Sequence, residues 1–164
     1  MEKKGQQSVG MSFGMIFSII LIVVFLIVAF IAINGFLDLS KSASIGSFYK
    51  NLQSEVDDAW RGQSSSTTFE IDLPSGIKKI CFANLSKEIT ESGQDYREIE
   101  NYEVYEANIF LIPPEKAQGL EWNLIKHLDI EKMTDSQNPK CFDVDVDLKI
   151  KKDFYDKFVV IEWA

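Results

Sequence analysis

Histidine is almost missing from this chain: His127 is the only one among 164 residues. That argues against a zinc set built on imidazole pairs and leaves a catalytic relay no second ring to draw on, so His127 reads as an ordinary surface or capping residue. Cysteine is equally scarce. Cys81 and Cys141 stand alone, far apart, and no clustered thiolate motif exists. The nine glycines form neither a phosphate-cradling loop nor a dinucleotide fingerprint, so no cofactor is expected. Basic charge is also in deficit, with 17 Lys and Arg against 25 Asp and Glu and a net charge of −8. Counterion release from nucleic acid needs clustered Lys and Arg, and after Gly35 there are 15 basic against 24 acidic side chains; a nucleic-acid partner is disfavoured.

The most informative absence is local. No charged residue occurs between Lys4 and Asp38, and 20 of the 23 residues from Met11 to Ile33 are apolar. As a helix this stretch rises about 34 Å, against a hydrocarbon core of about 30 Å. Sixteen of its residues are Leu, Ile, Val or Phe. At roughly −0.3 to −0.6 kcal/mol each they favour insertion by about 5 to 10 kcal/mol, which makes membrane lipid the expected surroundings. A cleaved secretory signal has a shorter apolar region and an A-x-A-like site, whereas Ala29-Phe30-Ile31-Ala32 is a poor one; the helix is expected to stay as an anchor. Lys3 and Lys4 before the span and the acidic stretch from Asp38 onward predict a cytoplasmic N-terminus and an extracytoplasmic C-terminal part.

Lys3-Lys4-Gly5-Gln6-Gln7-Ser8, running straight into the apolar segment, resembles the class III signal of archaeal type IV pilin-like proteins. The resemblance covers roughly the first 30 residues. It implies a prepilin peptidase as a partner, cleavage between Gly5 and Gln6, and a retained N-terminal helix that packs in a filament core below a β-rich head. One position departs from the family pattern: Gly10 stands where a glutamate usually pairs with a neighbouring subunit's new amino terminus, and this weighs against filament assembly. Separately, Gly10, Gly14 and Ser18 recur every four residues on one helix face. Such a stripe lets two helices approach closely, giving self-association or contact with other membrane subunits, although small residues at the start of a span also arise by chance.

Beyond the span, Leu39, Ala43, Ile45, Phe48, Tyr49, Leu52, Val56, Ala59 and Trp60 recur at mostly helical intervals, predicting an amphipathic stalk that Asn34-Gly35 kinks or marks at its membrane exit. Gly62 to Thr67, rich in small hydroxyl residues, predicts a break. From Phe69 the period becomes two. Phe69, Ile71 and Leu73 lead into a turn at Leu73-Pro74-Ser75-Gly76, with Ile77 to Ala83 returning as the partner strand. Val104 to Ile112, Phe142 to Ile150 and Phe158 to Trp163 supply further strands, and Trp122 to Ile130 fits strand or helix. The expected fold is α+β: leader 1–10, transmembrane helix 11–34, stalk 35–61, connection 62–68 and a β-rich domain 69–164, with no internal repeat.

The candidate sites are few. Cys81 and Cys141 lie in predicted strands, and either a disulfide or two buried thiols fits; a bridge would close a loop of about 60 residues and stabilise by about 4 kcal/mol through loop-closure entropy. Asn84-Leu85-Ser86 is a glycosylation sequon, or else an unmodified loop. Asp143, Asp145 and Asp147 alternate along a predicted strand, but calcium-loop grammar wants Gly at the sixth position and Glu at the twelfth, where Leu148 and Phe154 stand. They read as a solvated outer face, as does the run Glu98, Glu100, Glu103 and Glu106. The expected function is a membrane-anchored structural or interaction protein, pilin-like, with a non-polymerising tethered binding module as the alternative. An anchored enzyme ranks third, since no nucleophile, metal set or cofactor loop stands out.

Overall fold

The structure, a computed structural model, describes residues 13–90 and 93–164 and has two units, one ending at Asp38 and the other running Leu39–Ala164. Helix α1, Phe13–Arg61, supplies the described part of the first unit and the opening of the second. It is helical through Asn34-Gly35 without a break, so the expected boundary there leaves no mark on the hydrogen-bond ladder. A glycine within a helix costs only about 1 kcal/mol relative to alanine, a small penalty within a helix of 49 residues.

Within the second unit α1 buries Ile45, Phe48, Tyr49, Leu52, Val56 and Ala59, a stripe at three- and four-residue spacing. Burying such side chains is worth about 1.5–3 kcal/mol each before entropy, so this face alone stabilises the head by on the order of 10 kcal/mol gross. The stripe is narrower than the sequence predicts: Leu39 is 67% exposed, and Trp60 lies at its margin. At the far end Lys152 Nζ donates to the carbonyls of Trp60 and Gly62 at 2.6 and 2.8 Å, placing a cation on the negative end of the helix.

The rest of the unit is antiparallel sheet with short helices. The strands are β1 (Ser65–Phe69), β2 (Lys79–Phe82), β3 (Ile109–Ile112), β4 (Trp122–Asn123), β5 (Lys140–Asp143), β6 (Leu148–Lys152) and β7 (Val160–Trp163); α2 spans Gln94–Glu100 and α3 Ile130–Met133. Two open sheets result, one ordered β1-β6-β7 and the other β4-β3-β2-β5; neither closes into a barrel. Strand alternation divides the core. Ile80, Phe82, Ile109, Leu111 and Phe142 join the α1 stripe together with Leu148, Ile150 and Ile161. Cys81, Phe110 and Ile112 point the other way, where Ile99 of α2, Tyr96, Tyr102 and Trp122 cover them. The central strands are thus buried on both faces, and Phe82 meets Phe142 edge-on at 5.8 Å.

Four expectations about the strands are corrected. The connection 62–68 is largely β1, because an edge strand with one exposed face tolerates a Ser- and Thr-rich sequence that composition alone reads as a break. The turn after Leu73 exists, with Gly76 at φ +108° where a side chain would be strained, yet its flanks do not pair with each other. Instead β1 pairs with β6, while β2 pairs with β3 and β5. The run Phe142 to Ile150 is not one strand but β5 and β6 in different sheets, joined by a turn in which Val146 N donates to Asp143 O at 3.3 Å. Only the end of the Val104 to Ile112 run is strand; Val104 itself is 86% exposed.

Candidate functional site

The most distinctive surface is the first half of α1. Every residue from Phe13 to Ser40 is exposed, and none from Phe13 to Leu37 is charged. Among the described residues, this is one helix long and apolar enough to cross a membrane. Gly14 and Ser18 lie one turn apart on it, and Ser18 Oγ donates to the Gly14 carbonyl at 2.7 Å, so the hydroxyl is satisfied within its own helix. Gly5, Gln6 and Gly10 lie outside the described residues.

On the head, the last turns of α1 hold a loop through polar contacts. Lys126 N donates to Gln53 Oε1 at 2.8 Å, while Gln53 Nε2 donates to Asp57 Oδ1 at 2.7 Å. The same carboxylate oxygen lies 2.9 Å from His127 Nδ1. The imidazole is stacked on the Trp60 indole at 3.8 Å between centroids and 3° between planes. His127 adopts φ +66°, an uncommon conformation for a non-glycine residue, and its carbonyl accepts from Val159 N at 2.9 Å. The expected surface histidine is therefore half-buried and fixed on one ring face and at one nitrogen. Partners at 73 and 70 positions' separation carry no local signal, which is why sequence reading missed this cluster. Its chemistry is that of a latch: carboxylate, imidazole and indole join the helix to the loop. Among the described residues, no three His, Cys, Asp or Glu side chains converge as metal ligands.

Cys81 and Cys141 face each other in the β2–β5 register and are joined by a disulfide. Cys81 is fully buried on the face opposite the α1 stripe. Near one end of that sheet, Asn138 forms a polar hub that the sequence did not flag. Its Oδ1 accepts from Asn84 N at 3.0 Å, and its Nδ2 donates to the carbonyls of Asn84, Lys87 and Glu88 at 3.0, 3.3 and 3.0 Å. The hub fixes the main chain of the sequon residue Asn84. Asp143, Asp145 and Asp147 are exposed, but only Asp143 lies in a strand, so they do not share one strand face. The first lines an open groove of about 580 Å³ with Asp145, Lys78 and Val144.

Two tyrosines are electrostatically distinct. Burial, with the nearby Glu121 carboxylate, pushes the Tyr49 phenol strongly up; its hydroxyl donates to Leu120 O at 2.9 Å. Partial burial and a 3.0 Å hydrogen bond to Glu121 push Tyr102 up to about 12. Both effects keep the phenols neutral as donors. Comparison with family models, curated proteins and solved structures finds no match to this chain.

Proposed function

We propose that this chain is a single-pass membrane protein whose N-terminal helix anchors an extracytoplasmic β-rich head that acts through contacts with other macromolecules, as a pilin-like subunit of a surface filament or cell-surface complex. One observation carries the reading: α1 is a single helix whose uncharged apolar half is exposed throughout, whereas its second half is built into the head core. Water penalises the 21 exposed apolar residues among the 25 from Phe13 to Leu37, and lipid removes that penalty. Lys3 and Lys4 before the span support the cytoplasmic placement of the N-terminus, and their position ahead of Gly5 supports processing by a prepilin peptidase between Gly5 and Gln6. Gly14 and Ser18, in line with Gly10, support close packing against another helix. The alternative of a tethered, non-polymerising module of an envelope complex draws on Gly10, which cannot supply the charge that pairs pilin-like subunits.

The anchor is tested by alkaline carbonate extraction of the full-length chain. Wild type stays with the membrane pellet. The double variant Ile22→Lys with Ile27→Lys, which opposes insertion by about 5–7 kcal/mol, moves a substantial fraction into the supernatant. Wild-type protein released without detergent overturns the reading. A mature N-terminus at Gln6 supports pilin-like processing; retention of Met1–Gly5 in cells with an active prepilin peptidase defeats it. Sedimentable fibres containing the chain then separate the filament from the module.

A further inference from the structure

We propose that Asn84 is an N-glycosylation site and that its first sugar seats in the groove beside it. Asn84-Leu85-Ser86 leaves β2 at the sheet end where Asn138 grips the main-chain N–H and C=O of Asn84. With the backbone so held, Asn84 Oδ1 accepts the Ser86 N–H at 3.0 Å and closes an Asx turn. That bond uses the amide oxygen and leaves Nδ2, the atom that would carry a sugar, uncommitted to any group among the described residues. Ser86 is exposed, so the hydroxyl that completes the sequon is accessible.

The surroundings suit a saccharide. A groove of about 340 Å³ opens next to Asn84, lined also by Ser86, Glu103, Tyr105, Glu106 and Leu124. That volume falls in the range of about 300–1,000 Å³ usual for small-molecule sites. Tyr105 is 48% exposed and braced by Trp122 at 4.8 Å between ring centroids, so it offers a rigid aromatic face to the C–H side of a pyranose. Glu103 and Glu106 are exposed acceptors for its hydroxyls. In the modification, Asn84 Nδ2 forms a bond to the anomeric carbon of a polyprenyl-phosphate-linked saccharide. The bond from that carbon to the phosphate oxygen breaks, the electron pair leaves with the phosphate, and one amide proton passes to a base of the membrane transferase.

The inference rests on the outward placement of the head, and its test separates the two. Full-length protein is taken from membranes of cells with an N-linked pathway, reduced and digested with trypsin, and the Ile80–Lys87 peptide is weighed. Its mass is expected to rise by at least one saccharide in wild type and Ser86→Thr, and to return to the unmodified value in Asn84→Gln and Ser86→Ala. The Ser86→Ala chain keeps the Asx turn, whose donor is main chain, so its melting temperature reports any folding defect apart from modification. In parallel, protease is applied to intact cells. A head that is shaved off while Asn84 is unmodified overturns the glycan and leaves the anchor reading standing; a protected head overturns both. Modified wild type is expected to melt higher than Ser86→Ala, and Tyr105→Ala to keep the mass shift but lose that rise; no rise in wild type, or an equal rise without Tyr105, overturns the seating.

Discussion

Replacing Asn138 with alanine isolates the polar hub that ties the β2 exit to the loop before β5. The side chain is 97% withdrawn from water, its residue being 3% exposed, and it makes the four hydrogen bonds described above. The bonds in which Thr90 Oγ1 accepts from Asn138 N and donates to Asn138 O survive the substitution, because they use the backbone groups of residue 138. The Asn84 carbonyl also keeps a partner, the Lys87 N–H at 3.1 Å, and Lys87 and Glu88 are exposed enough for water to reach their carbonyls. The Asn84 N–H has no such substitute. An orphaned, part-buried donor costs about 1–3 kcal/mol, and the remaining bonds contribute about 1 kcal/mol net in total, giving an expected loss of about 2–4 kcal/mol. For a head of this size that lowers Tm by roughly 6–16 °C. Asn138→Asp is nearly isosteric yet turns a donor into an acceptor facing three carbonyls, so it should cost at least as much as alanine. Tryptophan fluorescence of the full-length protein in detergent, followed through urea and heat, measures both variants. Changes below about 0.5 kcal/mol in both would refute the assignment of Asn138 as the organiser of this corner.

Three further outcomes follow from the same structure. Cys81→Ser with Cys141→Ser removes a link closing about 60 residues of chain and should destabilise by up to about 4 kcal/mol, read as a lower urea midpoint, with wild type converging on the variant under reductant. Tyr102 holds its proton more tightly folded than unfolded, so its contribution is fully present below pH 10 and is lost as pH rises towards about 12; Tyr102→Phe should remove one late step from the ultraviolet phenolate titration and flatten the alkaline fall in stability. Lys152→Met keeps the stem but deletes the donor to Trp60 O and Gly62 O, and should cost about 1 kcal/mol, visible as faster amide exchange in the last turn of α1.

Long periodic segments were legible in the sequence; pairing was not. The apolar tract and the stripe from Ile45 to Ala59 announce α1 because each turn repeats the same instruction. Lys79–Phe82, Ile109–Ile112 and Val160–Trp163 were visible as strands for their β-branched and aromatic content. Which strand meets which depends on burial across tens of residues, and the turn at Gly76 misled because a good turn does not require its two flanks to be neighbours. Phe142 to Ile150 keeps its sequence alternation across a change of sheet: Phe142, Leu148 and Ile150 face one core from two sheets, while Val146 falls in the exposed turn between them. At the sites, the sequon and the cysteines were legible as motifs. Asn138 and the Asp57, Trp60 and His127 cluster were not, being assembled from single polar residues with no spacing in common.

The row of side chains that α1 buries within the second unit also sets how the head answers a mechanical pull. Tension entering through Leu39 runs along the helix axis and loads the side chains from Ile45 to Ala59 together, in shear, before it reaches the polypeptide beyond Arg61. Rupture then demands that a whole row slide at once instead of peeling one contact after another.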